Sequence, residues 1–168
     1  AIAQQVLEEL YGLGPLFPLA FGALALAFAV ASLVNSRLVM RIGMRRLALS
    51  GLVTLTLLGA AGTAFARLGP WGGVPPFWLF VALMALVFFC VAILFANFNA
   101  LALQPLGHVA GTASAVVMSL ATLGAAGAAY LIAGLFDGSL APMFTAFLLL
   151  GLLGSGFMWA AEAERRPA

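Results

Sequence analysis

The sequence predicts an all-α integral membrane protein, and three observations carry that prediction. Residues are 65% hydrophobic and only 7% charged, with a mean hydropathy of +1.19, whereas a soluble domain needs roughly a quarter of its residues charged to cover its surface. Five unbroken apolar runs of nineteen residues or more follow one another. At about 1.5 Å per residue, each covers most of a hydrocarbon core of about 30 Å. The charge between them is gathered into clusters: all seven cationic residues are arginines, and four lie within Ser36-Arg37-Leu38-Val39-Met40-Arg41-Ile42-Gly43-Met44-Arg45-Arg46. Charge this dense between two apolar segments ends both at a water interface and decides which side that interface is on. Barrel strands alternate over about ten residues, so continuous runs of this kind argue against a closed barrel.

The elements follow in order. Residues 1–10 have helical character but are too short to span; Ile2, Val6, Leu7 and Leu10 share a face, and Tyr11-Gly12-Leu13-Gly14-Pro15 is turn chemistry. The chain opens without Met, in Ala1-Ile2-Ala3-Gln4, so the expectation is the end of a truncated helix within a longer polypeptide. The first full span is 16–34, closed by Asn35 and Ser36 before the arginine cluster. The second, 47–66, carries Ser50, Thr54, Thr56 and Thr63, with glycines at 51, 59 and 62; hydroxyls within a helix bond back to a carbonyl one turn earlier, so their polarity costs little. The stretch from Arg67 to Pro76 breaks the helix repeatedly, and Trp71 and Trp78 suit the headgroup zone. The third span, 77–96, is aromatic-rich and ends in Asn97-Phe98-Asn99. Pro105 and Gly107 argue against a continuous helix through the connector 100–109. The fourth, 112–136, is richest in small residues and is expected to be packed on several sides, since small side chains let helix backbones approach in lipid. Asp137-Gly138-Ser139 is a tight turn. The fifth span, 143–161, contains the small pair Gly151 and Ser155 and the interfacial Trp159, and residues 162–168 form a short charged tail.

Five spans place the two ends on opposite sides, and charge orients them. The 37–46 segment and the tail hold six of the seven arginines; the opposite side has Arg67 with Glu8, Glu9 and Asp137. Burying one Arg at mid-bilayer costs about 2.5–3.5 kcal/mol on the insertion scale. This bias predicts a multi-pass inner or plasma membrane protein with a cytoplasmic C-terminus. The net charge of only +2 gives no argument for nucleic acid. Cys90, the single cysteine, reads as packing, and no secretory signal pattern is present.

The chemistry-bearing residues are few. One His, no carboxylate pair within a span, no metal-ligand spacing and no phosphate-binding glycine loop argue against an enzyme or a bound cofactor. His108 reads as a solvated loop residue. None of the spans holds an ionisable side chain, the usual mark of an ion pathway. The polar lining that remains is neutral: Asn35, Asn97, Asn99, Ser114, Ser119 and Thr122. With Met84, Phe88, Phe89, Phe95 and Met118 it forms a surface suited to apolar or amphipathic ligands.

Two stretches then resemble a known family. Ser36 to Arg46 is similar to the loop signature of the major facilitator superfamily, Gly-x-Leu-x-Asp-Arg-x-Gly-Arg-Lys/Arg, through Leu38, Arg41, Gly43 and Arg45; Ser36, Met40 and Met44 depart from it. Phe95-Ala96-Asn97-Phe98-Asn99-Ala100-Leu101-Ala102-Leu103-Gln104-Pro105, followed by Ala110-Gly111-Thr112-Ala113-Ser114-Ala115, resembles the Bcr/CflA branch of multidrug drug–proton antiporters, with Ala96 in place of a proline and Gln104 in place of an acid. Glu9-Leu10-Tyr11-Gly12-Leu13 also fits that branch just after its seventh helix.

The resemblance implies that the five spans correspond to helices eight to twelve of the major facilitator fold, preceded by the end of helix seven. It implies proton-coupled efflux of small amphipathic drugs by a parent carrier, with the lipid bilayer and a separate N-terminal six-helix half as partners and protons as the coupling ion. Proton-carrying acids in that family lie mostly in the first six helices, so this chain alone is expected to be inactive. The cavity candidates are Asn97, Phe88, Met84, Met118, Ser119 and Thr122. Arg37, Arg41, Gly43, Arg45 and Arg46 would form a conformational-latch loop. The alternative reading is a non-transporting membrane scaffold or assembly subunit whose contact surfaces are the small-residue faces at Gly124/Ala128 and Gly151/Ser155.

Overall fold

The structure, a computed structural model, describes residues 10–12 and 17–163, the last two by backbone alone. The expected helix over 1–10 lies outside the described residues except for Leu10, and the tail arginines Arg165 and Arg166 lie outside them entirely. The described residues form five α-helices: α1 (Phe17–Ile42), α2 (Met44–Leu68), α3 (Phe77–Leu103), α4 (Ala110–Gly134) and α5 (Ala141–Ala163), with a 3-10 segment, Gln104–Val109, joining α3 to α4. Four helical stretches are long and apolar enough to cross a membrane: Phe17–Ile42, Met44–Leu68, Phe77–Gly134 and Ala141–Ala161. The third is a 58-residue stretch that runs through the 3-10 segment. The chain is a multi-pass membrane protein of all-α class. Its outer surface agrees: Leu26, Leu57, Leu123 and Phe157 are more than three-fifths exposed, a cost in water that lipid removes.

Helix ends differ instructively from the apolar runs. α1 does not stop at Asn35 and Ser36 but continues through Arg37 and Arg41 to Ile42. Gly43 alone separates it from α2, at φ 85° and ψ 152°, a conformation open to glycine at little cost. The expected loop over 37–46 is therefore not a loop: hydropathy marks where water begins, but only a backbone break ends a helix, and the arginine segment is two helix ends around one glycine. α3 likewise runs seven residues past Ala96. Its asparagines do not break it because Asn97 Nδ2 donates to the Ile93 carbonyl and Asn99 Nδ2 to the Phe95 carbonyl, each at 2.8 Å, one turn back.

The core is built from α1, α2, α3 and α5. Leu24, Leu52, Leu55, Phe80, Met84, Val87 and Phe144 form one buried cluster, and Ala31, Leu47, Ala92 and Ile93 a second. α2 and α5 meet most closely. A Cβ on Gly59 would run into the Leu148 backbone, one on Gly62 into the Phe144 ring, and one on Gly151 into Thr56. Thr63 and Thr145 hydroxyls face each other at 3.3 Å across this seam. Small residues on both helices thus replace the hydrophobic drive that lipid lacks.

α4 is the exception. It buries no residue, and its glycines 111, 124, 127 and 134 face open space. The expectation that it is packed on several sides is not met among the described residues. Small residues permit close approach, but they do not supply the neighbour.

Two sets of connections define the ends of the bundle. At one end, Tyr11 Oη donates to the Pro75 carbonyl at 2.7 Å and its ring packs on Phe77 and Phe80. The Leu140 amide donates to the Gly73 carbonyl at 3.0 Å. Asp137 accepts from the Ser139 amide and hydroxyl, and Ser139 Oγ in turn accepts from the Ala141 amide, capping α5. At the other end, the α1–α2 junction, the 3-10 segment and the last turns of α5 come together around one cleft.

Candidate functional site

The arginine end is built by the break at Gly43. Arg41 occupies the last turn of α1, and Arg45 and Arg46 the first turn of α2. Arg37, Arg41 and Arg46 are exposed, and Arg45 is half-buried. Gly43 offers no side-chain cap to α2, and the first turn contains no acid, so the positive end of the helix adds to the guanidinium charge. The only carboxylate among the described side chains, Asp137, lies at the opposite end, where hydrogen bonds from Ser139 first and the Arg67 charge last hold it below its usual range.

Arg45 faces a cleft of about 620 Å³ whose other walls include Phe98, Leu101, Gln104, Pro105 and Met158. A second, adjoining cleft of about 340 Å³ runs along Ile42 to Arg46 and also touches Leu101 and Gln104. The two motif stretches, far apart in the chain, therefore share one surface. No signal in the sequence joins them, because their contact depends on how the start of α2 packs beside the end of α3.

Within the bundle the cavity candidates separate. Met84 and Phe88 of α3 line an apolar cavity of about 290 Å³ with Leu24, Ala125, Ile132 and Phe147. Drug-sized pockets start near this volume, at about 300 Å³. On α4, Met118 and Thr122 continue the stripe of Ala125, Ala129 and Ile132 by helical spacing, but neither they nor Ser119 line the cavity. All three are exposed, and Thr122 Oγ1 donates to the Met118 carbonyl.

Asn97 sits elsewhere. It is 1% exposed, at the contact of α3 with α1, and its Nδ2 donates to Asn35 Oδ1 at 2.6 Å as well as to the Ile93 carbonyl. Its own Oδ1 has no hydrogen-bond partner. The two asparagines named as neutral lining are thus each other's partners across a helix interface.

His108 is exposed in the 3-10 segment, and Cys90 is a buried free thiol. Among the described residues no group of His, Cys, Asp or Glu could hold a metal ion. Comparison with protein-family models, with curated proteins and with solved structures finds no match to this chain.

Proposed function

We propose that this chain is the C-terminal half of a secondary-active carrier of the major facilitator superfamily, in the Bcr/CflA-type drug–proton antiporter branch. The parent carrier exports small amphipathic compounds in exchange for protons. The observation that carries this reading is the meeting of the two motif stretches: Arg45 of the first and Phe98, Gln104 and Pro105 of the second line one cleft at one end of the bundle. The apolar cavity at Met84 and Phe88 supports a substrate with an apolar body. The spans carry no ionisable group between their interfacial turns, so proton coupling falls to groups outside this chain.

In this mechanism one half rocks against the other around a central cavity. A single half has nothing to rock against and is inactive alone. The arginine junction acts as a latch: its guanidiniums bind helix C-terminal carbonyls or acids of a neighbouring helix in one state and release them in the other, shifting the conformational balance. With the arginine-rich side inward, the C-terminus is cytoplasmic. Efflux of a dye and antibiotic panel from energised vesicles containing the complete carrier tests the reading; absence of proton-dependent efflux for every compound would overturn it.

The scaffold alternative draws on the open small-residue face of α4 at Gly124. Its other proposed surface is not free, since Gly151 is buried against Thr56 within the chain. The reading frame upstream of Ala1 separates the two: further spans with a membrane acid favour the carrier, and an immediate stop codon favours the scaffold.

A further inference from the structure

The cleft at the arginine end joins a cationic wall to apolar ones, and the latch role accounts for the cationic wall alone. One wall is cationic, with Arg45 in the cleft and Arg46 lining its extension. The other walls are apolar through Phe98, Leu101, Pro105 and Met158, with Gln104 a neutral polar side chain among them. Four guanidiniums lie within ten residues here. The cleft lies between the start of α2 and the ends of α3 and α5, where an apolar helix meets water and headgroups. Trp159, 73% exposed on the last turns of α5, marks that depth.

We propose that this cleft binds an anionic phospholipid, with the phosphodiester held by Arg45 and Arg46 and the upper acyl chain laid against Phe98, Leu101 and Met158. Charge complementarity selects the headgroup: a guanidinium presents paired N–H donors that match phosphate oxygens. The joining of a cationic wall to apolar walls selects a lipid over a free phosphate, because a soluble anion would leave the apolar walls uncovered. Basic pockets between helices at the cytoplasmic face are suited to such headgroups. The site does not depend on the carrier reading, because it needs only the α1–α2 junction, the end of α3 and the end of α5.

The test is native mass spectrometry of the whole chain released from bilayers of equal phosphatidylglycerol and phosphatidylcholine, combined with a photoreactive phosphatidylglycerol on the wild-type protein. Retained phosphatidylglycerol is expected to exceed phosphatidylcholine, and crosslinks are expected at Phe98, Leu101 or Met158. Each arginine neutralised near the surface is expected to weaken retention about five-fold, so Arg45→Gln/Arg46→Gln should abolish the preference while Arg67→Gln, at the other end, leaves it unchanged. Equal retention of the two lipids, a preference that survives the double substitution, or crosslinks confined to the opposite end would overturn the proposal. Displacement of the lipid by millimolar glycerol phosphate would also overturn it, by assigning the site to soluble phosphoanions. The crosslinking arm uses unaltered protein, so failure of the double variant to fold leaves the proposal open to refutation.

Discussion

The Asn35–Asn97 pair allows the sharpest test of how this bundle is held together. Asn97 is 1% exposed and Asn35 9%, and the bond between them is 2.6 Å. Interhelical hydrogen bonds in membranes contribute about 0.6 kcal/mol on average and about 1.7 at most; a short bond between two buried amides belongs in the upper half of that range, near 1 kcal/mol. The substitutions are not equivalent. Asn35→Leu leaves Asn97 buried with Oδ1 already unpaired and Nδ2 reduced to its bond with Ile93. It should destabilise the protein by about 1–2 kcal/mol, the cost of a lost bond beside an unsatisfied amide. Asn97→Leu leaves Asn35 Oδ1 without its donor but also removes the already unpaired Asn97 Oδ1, so its cost should be smaller, about 0–1 kcal/mol. The double substitution removes the whole polar group and should be no worse than Asn97→Leu alone, giving a coupling energy of about 1 kcal/mol or a five-fold change in the unfolding constant. Reversible unfolding in mixed detergent and dodecyl sulfate measures all four proteins. Equal single effects that simply add would refute the pairing and, with it, the seating of α1 on α3.

Three further outcomes are expected. Gly59→Val should destabilise the protein by about 1–3 kcal/mol in the same unfolding assay, because its side chain would meet the Leu148 backbone, which cannot yield; Gly124→Val, with open space around it, should stay within about 0.5 kcal/mol of wild type. Arg41→Ala should abolish export by the complete carrier in energised vesicles while membrane insertion, followed by fractionation, is unchanged; retained export would remove the latch. Burial raises the Tyr11 phenol above its ordinary value of 10, so the folded state holds that proton more tightly than the unfolded one. Its contribution is fully present below pH about 10 and is lost as pH rises through the higher folded value. An alkaline melting series should show Tyr11→Phe less stable than wild type at neutral pH, through loss of the bond to Pro75, with the difference not growing above pH 10.

What could be read in advance, and what could not, follows from the kind of signal each feature leaves. Each of the five apolar runs falls on a helix, the fourth overshooting the end of α4 by Leu135 and Phe136, because length and hydropathy are properties of the chain itself. The helix ends at Ile42 and Leu103 were less legible, since polar residues mark water and not backbone conformation; Asn97 and Asn99 remain helical by bonding to their own preceding turn. The separation of Met84 and Phe88 from Asn97 depends on rotation about α3, which a nearly uniform apolar run does not encode. Gly59 and Gly62 carried a readable sign of close packing, yet their partner α5 could be identified only in three dimensions. α4 shows the limit of the same sign: its small residues resemble those of α2, but no described helix fills the space beside its glycines.

We propose that arginine placement threads these helices through the bilayer with the α1–α2 junction and the C-terminus on the cytoplasmic side. The most direct measurement fuses a reporter that fluoresces only in the cytoplasm to Ala168, and a phosphatase active only outside it to the Trp71–Gly73 turn. A fluorescent C-terminus with an active phosphatase in the turn is predicted; a dark C-terminus with a silent phosphatase, both fusions being expressed, would contradict the threading and the family reading built on it.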